Sequence, residues 1–188
     1  MQLRGAAGLA IITLSLSGCA PWLPMIQHKP APSPSSTGPS GKIPITGQPS
    51  ALFCENAGAY LSKFPDLPLY RPEPEIPNAM GTLSCMYTSD PSDSDRPRVI
   101  LDAQAVKDDE DRAAFTELCD NGKLGPGTAK VTADWVKDRG WSAWIAAHDP
   151  TFSEAVLCTR DQFYEIWVTH VPGATADDAL ATIMAAVD

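Results

Sequence analysis

Long apolar runs are missing from this 188-residue chain. Its most extended one, Ala6 to Leu16, is about half the roughly twenty residues that a bilayer-spanning helix needs, so no mature transmembrane helix is expected. Basic side chains are also scarce. Fourteen Lys and Arg stand against 23 Asp and Glu, giving a formal charge of −9 and a pI near 4.7. Nucleic acid and anionic head groups repel such a surface, so nucleic acid is excluded as a partner. There are only three histidines, His28, His148 and His170. G-x-S-x-G, H-E-x-x-H and S-x-x-K are all absent. His148 is followed directly by Asp149, and sequence neighbours rarely orient one another as a catalytic pair does. His170 follows an expected strand and reads as a surface residue. No Cys-x-x-Cys or Cys/His cluster has zinc spacing. Asp90, Asp93 and Asp95 read as a solvated loop, and Asp108 to Asp111 as the first turn of a helix, because both clusters lack the glycine and terminal Glu of a calcium loop. No catalytic residue, metal or cofactor is therefore expected. There is no βαβ alternation and no repeat of 20–50 residues.

What the chain does have begins at its amino terminus. Met1 to Arg4 carries a single positive charge, the short apolar run follows, and Leu16-Ser17-Gly18-Cys19 closes it with small residues before a cysteine. The run is too short for a membrane span and carries no polar face that a buried helix would show. The segment resembles a bacterial lipoprotein signal peptide with its lipobox. That resemblance implies removal of residues 1–18, acylation of Cys19 as the first mature residue, and a chain held to the cell membrane on its extracytoplasmic side. Two acyl chains suffice for stable anchoring at about 0.8 kcal/mol per buried methylene. Only Arg4 is lost with the signal, leaving 13 basic against 23 acidic side chains, or −10.

Residues 19–50 read as a tether. Eight of the eighteen prolines fall there among Ser, Thr and Gly, as in Pro30-Ala31-Pro32-Ser33-Pro34. Such a composition buries too little apolar surface to offset its ordering entropy, so this stretch is expected to add nothing to the domain's stability.

Residues 51–188 read as the folded domain. Ser50 suits an N-cap, and Phe53, Ala57, Tyr60, Leu61 and Phe64 recur on one helical face up to Pro65. Residues 65–81, with five prolines, read as irregular. Thr82–Thr88 alternates as a strand, and Arg98–Ala105 is expected to pair with it across an acidic loop. Val106–Asn121 reads as a helix with Ala114, Phe115, Leu118 and Cys119 clustered and Gly122 as its stop. Residues 130–136 are ambiguous between strand and helix. Trp141–His148 reads as a strand, Glu154–Thr159 and Phe163–His170 as a tight hairpin, and Thr175 as the cap of a last helix. Strands bracketed by helices point to an α+β fold: an antiparallel sheet of five to six strands with N-terminal, central and C-terminal helices.

With Cys19 lipidated, Cys54, Cys85, Cys119 and Cys158 remain, an even number in an oxidising compartment, which is a disulfide count. Three pairings are open. Inner-face placement favours Cys54 with Cys85 and Cys119 with Cys158. The order of elements and the placement of the cysteines resemble small actinobacterial envelope lipoproteins of unknown function and the disulfide-stapled extracellular sensor domain of mycobacterial membrane kinases. Neither resemblance carries a ligand. Trp167 is expected in the core. Trp141 and Trp144 fall on opposite faces of one strand, which makes them the candidate binding surface. The function expected is a lipid-anchored binding or accessory domain that contacts an envelope protein, a glycan or a small apolar ligand. The alternative is an envelope enzyme with an unfamiliar site.

Overall fold

Two antiparallel meanders meet edge to edge to make a single seven-stranded sheet. The computed structural model describes residues 47–70 and 82–187. The expected signal, Cys19 and most of the tether lie outside that range, as do residues 71–81. The first meander is β1 (Leu69–Tyr70), β2 (Thr82–Tyr87) and β3 (Arg98–Ala105). The second is β4 (Thr128–Lys130), β5 (Ser142–Asp149), β6 (Phe152–Cys158) and β7 (Gln162–Thr169). Pairing of β3 with β7 joins them in the order β1-β2-β3-β7-β6-β5-β4. The fold is α+β with an antiparallel sheet, and the described residues include four helices and two disulfides. The strand count exceeds the expected five to six because of the two edges. β1 has two residues inside the Pro-rich stretch, and β4 has three, of which only Lys130 lies in the ambiguous stretch 130–136. Both are short, as edge strands that resist further pairing tend to be.

Among the described residues there are four helices: α1 (Phe53–Leu61), α2 (Asp109–Cys119), α3 (Asp134–Lys137) and α4 (Ala176–Ala186). One face of the sheet is covered by α1 and α4. Val99, Leu101, Leu157, Tyr164 and Ile166 alternate onto that face and are fully buried beneath Phe53, Leu61 and Ile183. Each such side chain contributes roughly 1.5–3 kcal/mol of burial free energy. Small residues bring α4 close, since Ala176, Ala179 and Ala186 are all buried. Thr175 caps α4 in a capping box with Asp178, accepting from the Asp178 N–H at 3.2 Å while the Asp178 carboxylate accepts from the Thr175 N–H at 3.0 Å. The same carboxylate accepts from Lys63 Nζ at 2.6 Å and from the Tyr60 hydroxyl at 3.0 Å, tying α1 to α4.

Cys54 of α1 is bonded to Cys85 of β2, and Cys119 of α2 to Cys158 of β6. The Tyr87 hydroxyl, fully buried, donates to the Cys54 carbonyl at 2.6 Å beside the first bond. Three readings of the sequence need adjustment. Ser50 does not cap α1, whose N-cap is Leu52; its hydroxyl instead accepts from the Leu52 N–H and from Asn56 Nδ2, both at 3.1 Å. α2 starts three residues later than its pattern suggested, because Asp108 takes the cap and accepts from the N–H groups of Glu110 and Asp111. The packed unit also begins before residue 51. Gly47 is buried and its carbonyl accepts from the Tyr164 hydroxyl at 2.9 Å, and Pro49 bridges to Val187.

Candidate functional site

The second face of the sheet carries the polar and aromatic side chains, and the strand register sets them in rows. One row runs Ser84, Asp102, Glu165, Val156, Trp144, Lys130 across six strands. Its neighbour runs Met86, Ile100, Trp167, Glu154, Ala146, Thr128. α2 packs over only part of this face, where Val156, Cys158 and Phe163 are buried against Phe115, Leu118 and Leu124. Phe115 and Phe163 stack with ring centroids 4.0 Å apart.

Beside that packed patch a cleft of about 530 Å³ opens between α2, the turn joining β6 to β7, and the segment leading into β5. Its size falls in the range of small-molecule sites. The Cys119–Cys158 bond and the stacked Phe115 and Phe163 contribute its apolar lining. Arg112, Arg139 and Arg160 line it with one carboxylate, Asp120, the reverse of the charge balance of the whole chain. Two of the guanidiniums are held by backbone carbonyls. Arg112 Nη2 donates to the Arg160 carbonyl at 3.0 Å, and Arg139 Nη1 to the Trp135 carbonyl at 2.9 Å. The Arg139 guanidinium also lies 5.3 Å from the centre of the Trp141 ring. Among the described residues no carboxylate pairs with Arg112 or Arg139, whereas Arg160 has Asp161 at 3.8 Å.

Trp141, expected as a binding residue, lines this cleft. The far edge of its ring is packed by Gly47, where a Cβ would come within 2.6 Å of Cζ2. Trp144 does not line it. Its indole N–H donates to the Cys119 carbonyl at 2.9 Å, its ring lies against Gly122, and Lys130 Nζ sits 5.2 Å above it. The arginines were missed because they come from three separated segments. The one local signal was Arg139-Gly140-Trp141, which puts a cation and an aromatic at a turn.

A second constellation lies farther along the same face. Glu154 is 7% exposed. One of its oxygens is 2.9 Å from His148 Nε2, and the other accepts from Trp167 Nε1 at 3.3 Å. Trp167 is only half-buried on this outer face, outside both apolar clusters, so it is not the core residue expected. The β5–β6 register shifts between Ala147 and Asp149, and such a bulge re-aims the residue it contains, here His148. Glu165 stands directly opposite Asp102 and is hydrogen-bonded to Glu154. Burial, the Glu154 hydrogen bond and the two neighbouring acids raise the Glu165 carboxyl to about 7. Burial also raises Asp102, which a Ser84 hydrogen bond partly offsets. Asp102 Oδ1 and Arg98 Nε are buried with no partner among the described residues. Strand alternation in β3 and β7 could have shown Asp102 and Glu165 sharing a face. None of these residues lines the cleft.

Asp90 and Asp93 organise their own loop, Asp90 accepting from the Ser92 N–H at 2.9 Å and Asp93 from the Asp95 N–H at 3.0 Å. Among the described residues no three His, Cys, Asp or Glu side chains are placed to hold a metal ion, and no helix is long and apolar enough to cross a membrane. The chain matches no protein family model, no curated protein and no solved structure.

Proposed function

We propose that the protein is a lipid-anchored lipoprotein of the cell envelope that displays a binding or accessory domain, with the cleft at Trp141 as its binding site. The cleft carries this reading. It is framed by a disulfide, two hairpin strands and a helix, so its walls are held in place before any ligand arrives, which lowers the ordering cost of binding. The lipobox-like Leu16-Ser17-Gly18-Cys19 supplies the anchor, and the Pro-rich tether separates anchor from domain. Fully extended at about 3.1 Å per residue, that tether reaches roughly 90 Å, enough to present the domain away from the membrane surface. Two measurements test the reading. Cys19→Ala is expected to move the protein from the membrane fraction to the soluble fraction, and a variant still wholly membrane-bound would sink the anchor. Trp141→Ala is expected to reduce recovery of envelope partners in a pull-down far more than Trp144→Phe. Equal recovery from both would remove the cleft from the reading.

A second reading, an envelope enzyme, is favoured by one observation. Glu165 is poised near neutral beside Glu154, which itself pairs with His148, and groups shifted this way cluster at catalytic sites. It ranks second because none of these side chains is among the residues that line the cleft. Any hydrolytic activity of the purified protein that is lost in Glu165→Gln would reverse the ranking.

A further inference from the structure

We infer that the cleft recognises an oxyanion, a carboxylate or phosphate group carried on a larger neutral body, through Arg112 and Arg139. The inference rests on the cleft being a binding site, as proposed above, and adds the chemistry of its ligand.

Arginines on an acidic protein ordinarily find carboxylates. Here 23 acidic side chains outnumber 14 basic ones, yet among the described residues Arg112 and Arg139 pair with none of them. Each instead spends one N–H on a backbone carbonyl, Arg160 O for Arg112 and Trp135 O for Arg139. A guanidinium has five N–H donors, so each keeps donors free while its direction is fixed. The Trp141 ring adds a cation–π contact that holds Arg139 in place. Ordering a free arginine on binding costs side-chain entropy, and prior fixing removes part of that cost. Two such forks at one cleft suit bidentate contact with planar or tetrahedral oxyanions.

The remaining lining residues describe the rest of the ligand. Arg160, beside Asp161, has its charge partly answered already and stands at the rim, its side chain 90% exposed. Asp120 opposes a ligand that is anionic throughout. The stacked Phe115 and Phe163 give an apolar surface. A volume of about 530 Å³ is far larger than a phosphate ion, whose share of the space would leave most of the cleft empty. The ligand that fits therefore has one or two oxyanions at the arginines and a neutral body against the aromatics. Acidic envelope glycans and anionic lipid head groups both have this chemistry.

The test uses the full chain solubilised in detergent, with two soluble probes read by calorimetry. Cellobiouronate, a single glucuronate on a neutral glucose, represents a carboxylated glycan, with its methyl ester as the neutral counterpart. Glycerophosphoglycerol represents an anionic lipid head group, with glycerophosphocholine as the zwitterionic counterpart. At least one anionic probe is expected to bind saturably, weakening as salt rises, and its counterpart is expected not to compete. The probe that binds tells glycan from head group. Arg112→Gln with Arg139→Gln is expected to weaken that binding at least about tenfold with an unchanged melting temperature, since both charge-assisted contacts to the oxyanion are lost. Arg96→Gln, in the loop before β3 and far from the cleft, is expected to bind as the wild type does. Failure of both anionic probes at low salt overturns the inference, as does unchanged binding in the double variant. If the methyl ester binds as tightly as the acid and Trp141→Ala abolishes both, the oxyanion is overturned while the binding cleft itself stands.

Discussion

Gly122 shows what a single residue settles in this protein. It closes the turn after α2 with φ at +58°, a left-handed conformation that side chains other than glycine adopt only with strain. Its N–H donates to the Leu118 carbonyl at 3.2 Å. A Cβ there would fall 2.2 Å from Cε3 of Trp144, inside the ring's contact radius. The same indole donates to the Cys119 carbonyl, so Trp144 and Gly122 together fix the end of α2 next to its disulfide. Gly122→Ala is therefore expected to cost more than the roughly 1–3 kcal/mol of backbone strain alone. A double-mutant cycle separates the parts. With Trp144→Ala in the background, the steric share should vanish and the cost of Gly122→Ala should fall to the backbone share. Urea denaturation measures both, and equal costs in the two backgrounds would show that the ring is not the obstacle. Gly122 was legible in the sequence as a helix stop. Its second duty was not, because Trp144 lies on a strand more than twenty residues away.

At the scale of elements, β3, β7, β6 and β5 each place one titratable group in a line: Asp102, Glu165, Glu154 and His148. Arg98, two residues from Ile100 on the same strand face, gives its guanidinium to the carbonyls of Pro91 and Asp93 instead, so it does not neutralise the line. Two carboxyls that hydrogen-bond need a proton between them, and burial beside Asp102 makes losing it costly. Glu165 accordingly sits near 7 when folded, against 4.5 as its ordinary value. The sign follows from proton counting. Between those pH values the folded protein holds a proton that the unfolded chain releases, so this group's contribution is fully present below about 4.5 and is lost as pH rises through about 7. Asp102, also raised, adds in the same direction. The domain is expected to be more stable at about pH 5 than at about pH 8, and Glu165→Gln, which keeps a hydrogen-bonding amide without the charge, is expected to flatten that slope. Urea midpoints across this window check it, and a slope unchanged in the variant would place the titration elsewhere.

The elements themselves were largely readable. Alternation marked Arg98–Ala105 to the residue, and Thr175 announced α4 with its cap. The two edge strands escaped, because two or three residues show no period and the ladder of a neighbour holds them. Both disulfides join the partners that inner-face placement favoured, since each cysteine sits on or beside an apolar periodic face. The cleft was illegible for a different reason. Only Arg139-Gly140-Trp141 carried a local signal, while Arg112 and Arg160 join it only once the sheet has ordered its strands.

At the scale of the whole molecule, the junction between tether and domain falls earlier than composition suggests. Residues 19–50 look uniform in Pro, Ser, Thr and Gly, and nothing in that pattern distinguishes Gly47, Gln48 and Pro49. Yet Gly47 is buried, with φ at +82° and Trp141 and Thr159 packed where a side chain would go. Its carbonyl satisfies the hydroxyl of Tyr164, which is fully buried. Gln48 Oε1 accepts from Gln162 Nε2 at 3.1 Å, and Pro49 pairs with Val187 beyond α4. The last residues of the tether thus close the domain beside the cleft, which Trp141, Thr159 and Gln162 also line. Two truncations separate tether from domain. Removing residues 20–46 is expected to leave the melting temperature unchanged, because that composition supports no core. Removing 20–49 takes away the Gly47 carbonyl to which a buried hydroxyl donates, and a lost buried hydrogen bond costs about 1–3 kcal/mol. The melting temperature should then fall by several degrees, since about 1 kcal/mol is worth roughly 2–8 °C in domains of this general size. The shorter form should also lose ligand affinity at the cleft, because Gly47 is what packs the far edge of the Trp141 ring. Equal melting temperatures for the two truncations would return the junction to Ser50, and Gly47 would then be a passenger of the tether.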